Sequence, residues 1–184
     1  HSRLTDLDGD LQLTPTLVNR FRAIHTFHKE SGQPERRGNH YTSRLVRSGR
    51  HVNLDLFYYH ISPDLDTDVG FVRRTDIRQG TTTLGYRFWP QDSWIINWGP
   101  SVNYLRNYNY DDVLEDERLA ITLDFDLARN VALSGTVSTE MERFGNIDFD
   151  KEILSLRGNV NASRSYQVGA NVTIGDAVRY SASP

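Results

Sequence analysis

The sequence predicts an all-β protein: an antiparallel up-and-down transmembrane β-barrel of about ten strands, forming part of a larger barrel. Three observations predict it. Apolar and polar residues alternate with period two along most of the chain, as in strands whose two faces meet different surroundings. No sustained i, i+3, i+4, i+7 pattern calls for a helix. Connections alternate between tight and long, so one rim carries short turns and the other long loops, the asymmetry of bacterial outer-membrane barrels.

In chain order the strands fall into five hairpins, each around a run of turn formers. Strands 5–13 and 17–28 flank "TPT" at 14–16. Strands 40–48 and 51–61 flank "SGR" at 48–50, and 78–88 and 94–106 flank "PQDS" near 90–93. Strands 117–127 and 131–142 flank "ARN" at 128–130. The last pair, 153–162 and 166–176, flanks "SRS" at 163–165. Between hairpins lie the expected long loops, 29–39, 62–76, 107–117 and 142–152.

The faces agree with that order. In 117–127, Leu119, Ile121, Leu123, Phe125 and Leu127 alternate with Ala120, Thr122, Asp124 and Asp126. In 131–142, Val131, Leu133, Gly135 and Val137 alternate with Ala132, Ser134, Thr136 and Ser138. Strand 94–106 sets Trp94, Ile96, Trp98, Pro100, Val102 and Tyr104 against Asn97, Gly99, Ser101 and Asn103. Strand 153–162 sets Leu154, Leu156, Gly158, Val160 and Ala162 against Ser155, Arg157, Asn159 and Asn161. Strand 166–176 sets Tyr166, Val168, Ala170, Val172 and Ile174 against Gln167, Asn171 and Thr173. Five alternate apolar residues, at ~3.3 Å rise and with tilt, cover the ~25 Å apolar band of an outer-membrane barrel. Tyr58, Tyr59, Phe88, Trp89, Trp94, Tyr104, Tyr108 and Tyr110 cluster near strand ends, where interfacial girdles sit. A soluble β-sandwich, whose strands also alternate, is the competing architecture.

Composition narrows the function classes. The 184 residues carry a net charge of −3, which gives no strong field for nucleic acid. The densest basic run, Arg36, Arg37, Arg44, Arg47 and Arg50, has only Tyr41 for stacking and is read as loop solubility or contact with anionic outer-leaflet sugars. With no Cys there is no disulfide framework or thiolate site. No run approaches ~18 apolar residues, so no transmembrane helix is expected, a test that leaves barrels open. The opening "HSRLTDLDGDLQ" lacks the marks of a secretory signal, and its "DLDGD" is read as strand or loop surface. Ten up-and-down strands place both ends at the long-loop rim. Single-chain barrels place them at the short-turn rim, so the expectation is a segment of a longer protein, with a self-closed ten-strand barrel as the alternative.

Candidate chemistry is sparse. Asp64, Asp66 and Asp68 have the alternate spacing of a calcium loop, but Gly70 stands seventh and Thr75 twelfth where an EF-hand needs Gly sixth and Glu twelfth. They read as a solvated acidic loop, with a loose calcium site left open. His25, His28, His40, His51 and His60 are scattered, and His25 and His28 face opposite sides of a strand. No Gly-x-Ser-x-Gly elbow places a nucleophile beside a base. Glu140 and Asp124 are expected on the polar face, paired with Arg157, Arg20 or Arg22 across strands. The expectation is therefore no catalytic, cofactor or metal residue, and no enzyme.

Residues 57–90, "FYYHISPDLDTDVGFVRRTDIRQGTTTLGYRFWP", carry a resemblance. They are similar to the C-terminal barrel region of large bacterial outer-membrane proteins of unassigned function, whose N-terminal domain resembles family-nine carbohydrate-binding modules. The matching positions are Tyr58, Tyr59, Pro63, Asp64, Val69, Gly70, Phe71, Val72, Arg73, Arg74, Tyr86, Trp89 and Pro90. The later hairpins share the rhythm, but the likeness is sharp only here. It implies a bacterial outer membrane with long loops extracellular, and as partners outer-membrane lipid, further strands of the same barrel or a partner chain, and a glycan reached through a domain absent from this chain. The function expected is a membrane anchor, scaffold or solute passage. A barrel enzyme with a loop-rim site, or a soluble β-rich glycan-binding module, is the alternative.

Overall fold

The computed structural model describes residues 2–29, 32, 34–65, 74–91, 93–161 and 166–177. Ten strands and no helix are found among them: β1 (Ser2–Thr14), β2 (Leu17–His28), β3 (Arg36–Ser48), β4 (Val52–Ile61), β5 (Ile77–Tyr86), β6 (Ile95–Tyr108), β7 (Leu114–Leu127), β8 (Val131–Phe144), β9 (Ile147–Asn161) and β10 (Gln167–Gly175). They form one sheet in sequence order, every neighbour antiparallel. The sheet is open. Among the described residues, β1 and β10 each leave one edge without a ladder partner.

Strand pairing divides the side chains cleanly. Directly opposed residues share a face, and the ladders join Trp98 to Phe125, Val102 to Ile121, Ile121 to Val137, Val137 to Leu154 and Leu156 to Val172. The other face joins Asn97 to Asp126, Ser101 to Thr122, Thr122 to Thr136, Thr136 to Ser155 and Ser155 to Thr173. Burial falls on the polar side. Ser138, Ala120 and Asn107 there are 3%, 3% and 2% exposed, whereas Ile121, Val137 and Val168 opposite are 55%, 59% and 69% exposed. Side chains crowd on the inside of a curl and spread on its outside, so the sheet curls around its polar face. No second layer covers the apolar one among the described residues.

Several connections differ from expectation. The loop expected at 142–152 is a continuation of the hairpin: β8 reaches Phe144, β9 starts at Ile147, and the turn is Gly145 and Asn146. Gly145 takes φ 64°, the positive angle that the first central position of a tight type II′ hairpin turn needs. The polar sequence there suggested a loop, but its charges pair across strands, Arg143 Nε to Asp148 Oδ1 at 2.5 Å and Lys151 Nζ to Glu142 Oε2 at 2.9 Å. The 107–117 loop contracts to 109–113, where the Asn109 side-chain oxygen accepts from the backbone N–H of Asp111 (3.0 Å) and Val113 (2.9 Å). β3 starts at Arg36, so the first long connection shortens to 29–35. Strict alternation of short and long connections therefore fails at its fourth long member.

At the other rim, β5 ends at Tyr86, and only a Phe88–Trp98 bridge continues its pairing with β6. The crossing is close. A Cβ on Gly99 would stand 1.8 Å from the Tyr86 carbonyl oxygen, so glycine is required there by space. β6 also carries a bulge between Ile95 and Asn97, which removes Trp94 and Ile96 from the regular apolar row expected from alternation.

Candidate functional site

The polar face is the feature with organised chemistry. Period-two alternation delivers an acid, base, amide or hydroxyl to it from nearly every strand, and antiparallel pairing brings each within reach of its neighbour. On β1 and β2, Arg22 grips Asp6 with two bonds, Nη2 to Oδ2 at 2.5 Å and Nε to Oδ1 at 3.0 Å, and Arg20 lies 3.5 Å from Asp10. Arg20 and Arg44 face each other across β2 and β3, and each turns to an acid on its other side, Arg44 to Asp55 on β4. At the β6–β7 end, Asn97 donates to Asp126 at 2.9 Å while its own oxygen accepts from Arg87 at 2.5 Å. Asn103 donates to Thr83 (2.8 Å) and Asn107 to Asp116 (2.8 Å).

Glu140 is the centre of the largest group. Arg118 of β7 donates to it at 2.8 Å, Ser138 at 3.2 Å, and Lys151 of β9 approaches to 3.6 Å. The partners expected for it, Arg157, Arg20 and Arg22, are not these: Arg20 and Arg22 sit on β2, six strands from Glu140 on β8 in the ladder order, and pair with their own neighbours on β1. Pairing on a sheet is local, so partner choice follows strand order. Asp124 lies on the same face and lines a hollow of about 290 Å³ with Asn53, Thr83, Gly85, Gly99 and Ser101. These exposed pairs are worth little individually, because solvent screens them. Together they form a hydrogen-bonding wall whose acids and bases largely neutralise one another.

The other singled-out residues disperse. Asp64 is exposed in the turn after β4, while Asp66 and Asp68 lie outside the described residues, as do Val69 to Arg73 of the resemblance. Among the described residues no three His, Asp or Glu side chains are placed to hold a metal ion. His25 lies on the apolar face against Asn39 Oδ1 (2.7 Å), His28 on the polar face, and His51 in a turn beside the Arg87 carbonyl oxygen (2.9 Å). The basic run does not make a patch, since Arg36 and Arg44 fall on the polar face and Arg37 and Arg47 on the apolar one.

Aromatic rings gather in two belts on the apolar face. Along the short-turn rim, Tyr86, Phe88, Trp98 and Phe125 stack in series with centroids 4.7, 4.4 and 6.1 Å apart. Trp89 joins them, donating Nε1–H to the Arg50 carbonyl at 2.8 Å. Toward the long-loop rim, His60 sits among Tyr41, Tyr58 and Tyr110, whose hydroxyl lies 2.5 Å from His60 Nε2. Tyr59 belongs to neither belt. One residue along from Tyr58, it points to the polar face and meets His40 edge-on at 5.3 Å. Trp98, Phe125 and Tyr86 fall outside the girdle expected from the sequence, although their parity with Val102, Leu123 and Leu84 is readable in it.

Beyond the apolar band, the β8–β9 hairpin carries charge on both faces. The Arg143 guanidinium holds the Asp148 carboxyl below the usual carboxylate range. A carboxyl whose folded pKa is depressed stabilises the fold above its ordinary pKa and loses that contribution as pH falls through the lower folded value. Acidification is therefore expected to fray the Phe144–Ile147 tip before the rest of the sheet. The protection factors of the Phe144 and Ile147 amides check it, falling in acid in the native chain and already lowered at neutral pH in Arg143→Ala.

Comparison with protein-family models, with characterised proteins and with solved structures gives no match for this chain.

Proposed function

We propose that the ten strands are part of the wall of a transmembrane β-barrel in a bacterial outer membrane, the apolar face toward lipid, the polar face lining a solute passage and the long loops outside. The observation that carries this reading is the inverted burial: the apolar face is the exposed one, and among the described strand residues the polar face holds every buried one but Leu127. In water such a surface would aggregate. In lipid it is the solvated one.

Register supports the same reading. Following directly paired residues from Ile174 leads through Leu154, Val137, Ile121, Val102, Leu84, Leu54, Arg47 and Leu17 to Thr14. The path starts near the long-loop rim and ends at the short-turn rim, slipping by about one residue per strand. With ~3.3 Å rise and ~4.8 Å spacing, that slip is a tilt of roughly 35°, at the lower end of the range of membrane barrels. At that tilt, Trp98 in the short-turn belt and Tyr108, which lies level with His60 of the other belt through Arg78, stand about 27 Å apart along the normal, close to the ~25 Å height of the apolar band. Unpaired N–H and C=O groups are prohibitive in lipid, so the free edges of β1 and β10 must be met by further strands of the same barrel, by a partner chain, or by each other. The resemblance of residues 57–90 adds the proposal that the barrel anchors a carbohydrate-binding-like domain.

Reconstitution tests the reading. In phospholipid vesicles, acyl-brominated lipid should quench the three tryptophans and small sugars should equilibrate across the bilayer. A monodisperse, detergent-free particle with unquenched tryptophans would end it.

A further inference from the structure

Among the described residues, the most deeply buried apolar cluster lies on the polar face, and a loop builds it. Immediately after β4, the chain turns onto the polar face instead of away from it. Ser62 clamps this step to β3 twice: its N–H donates to the Asn39 carbonyl at 2.9 Å, and its Oγ accepts from the Asn39 N–H at 2.8 Å. Leu65 then lies against Gly38, with its Cα 2.3 Å from where a Gly38 Cβ would stand and the Thr26 hydroxyl oxygen 2.6 Å from that same point. Ile61, Ser62, Leu65, Ile77 and Thr26 are all under 9% exposed, the densest burial among the described residues. A loop merely solvated at the rim would need neither a double backbone clamp nor a bare glycine beneath it.

We infer that Ser62–Leu65 is a fixed inward step that sets the narrowest point of the passage at the long-loop rim, so that only small hydrophilic solutes cross. The inference rests on the polar face lining a passage. A residue at Gly38 with any side chain displaces Leu65, because the obstruction is backbone and cannot rotate away. The step then lifts, and the wall beneath it stays paired through the β2–β3 and β3–β4 ladders.

The chain has no cysteine, which allows a direct test. Thr26→Cys with Leu65→Cys should form a disulfide in vesicles when dissolved oxygen is supplied as the oxidant, and leave solute flux at the native level. Gly38→Val should raise the flux of small sugars at least about twofold and admit larger ones, since pore radius governs passage. Ser62→Ala with Leu65→Ala, which removes the side-chain half of the clamp and the Leu65 anchor without straining β3, should do the same and covers a failure of Gly38→Val to fold. Absence of the cross-link, or unchanged flux in every folded loop variant, overturns the inward step while native flux leaves the passage reading standing. No flux in any folded, inserted variant overturns both.

Discussion

Ile121→Arg is expected to lower the folding free energy in phospholipid vesicles by about 2–4 kcal/mol, the cost of a cationic side chain on the lipid face near the bilayer midplane. Ile121 lies between Val102 and Val137 in the ladders, well away from both aromatic belts, so its side chain has no short route to the headgroups. Thr122→Arg, one position along, is the control. Its side chain projects to the opposite face, beside Thr136 at 2.8 Å and within a wall already rich in acids, and the expected loss is under about 1 kcal/mol. Reversible urea unfolding in vesicles, followed by tryptophan fluorescence, reads both. If the apolar face were merely exposed to water, Ile121→Arg would be neutral or would improve solubility, and the order of the two variants would be lost.

The second large effect lies in the backbone. In Gly99→Ala, a single methyl group would occupy a point 1.8 Å from the Tyr86 carbonyl oxygen and 2.8 Å from its carbon. Carbon and oxygen cannot approach so closely without bonding, and neither belongs to a flexible side chain. One strand must move by more than an ångström, which breaks the Phe88–Trp98 bridge and opens the ring stack that rests on it. The expected destabilisation is about 3 kcal/mol, at the upper end for overpacking a fixed site. Gly80→Ala supplies the comparison, because nothing lies within 4 Å of a Cβ built there, and an alanine in a strand loses less chain entropy than glycine. Gly80→Ala is expected to be neutral or to stabilise by about 0.5 kcal/mol. Equal unfolding midpoints for the two variants would show that β5 and β6 do not cross as closely as the structure has them.

Such contrasts could not be read from the sequence, which treats Gly80 and Gly99 alike. Glu140 is a similar case: alternation places it on the polar face, but only strand order decides that Arg118 and Lys151 are its neighbours. The β8–β9 tip was missed for a different reason. Glu142, Arg143, Asp148 and Asp150 have loop-like composition, and nothing local announces that Arg143 and Asp148 will meet across a two-residue turn. The inward step was hidden too, since its signals, Gly38 and Leu65, are 27 residues apart and neither is unusual alone.

The sequence by itself determined the strands and the composition of their two faces, because side chains must alternate along an extended backbone and a residue's neighbours two positions away share its side. It also marked the tight turns near 14–16, 48–50 and 128–130, whose formers act through local dihedral preference. Only the tertiary structure decided which face the sheet curls around, which charges pair, where glycine is required by a crossing strand and that a loop folds inward. Those outcomes depend on residues distant in the chain meeting at fixed distances, and period-two alternation holds no record of distance beyond one strand.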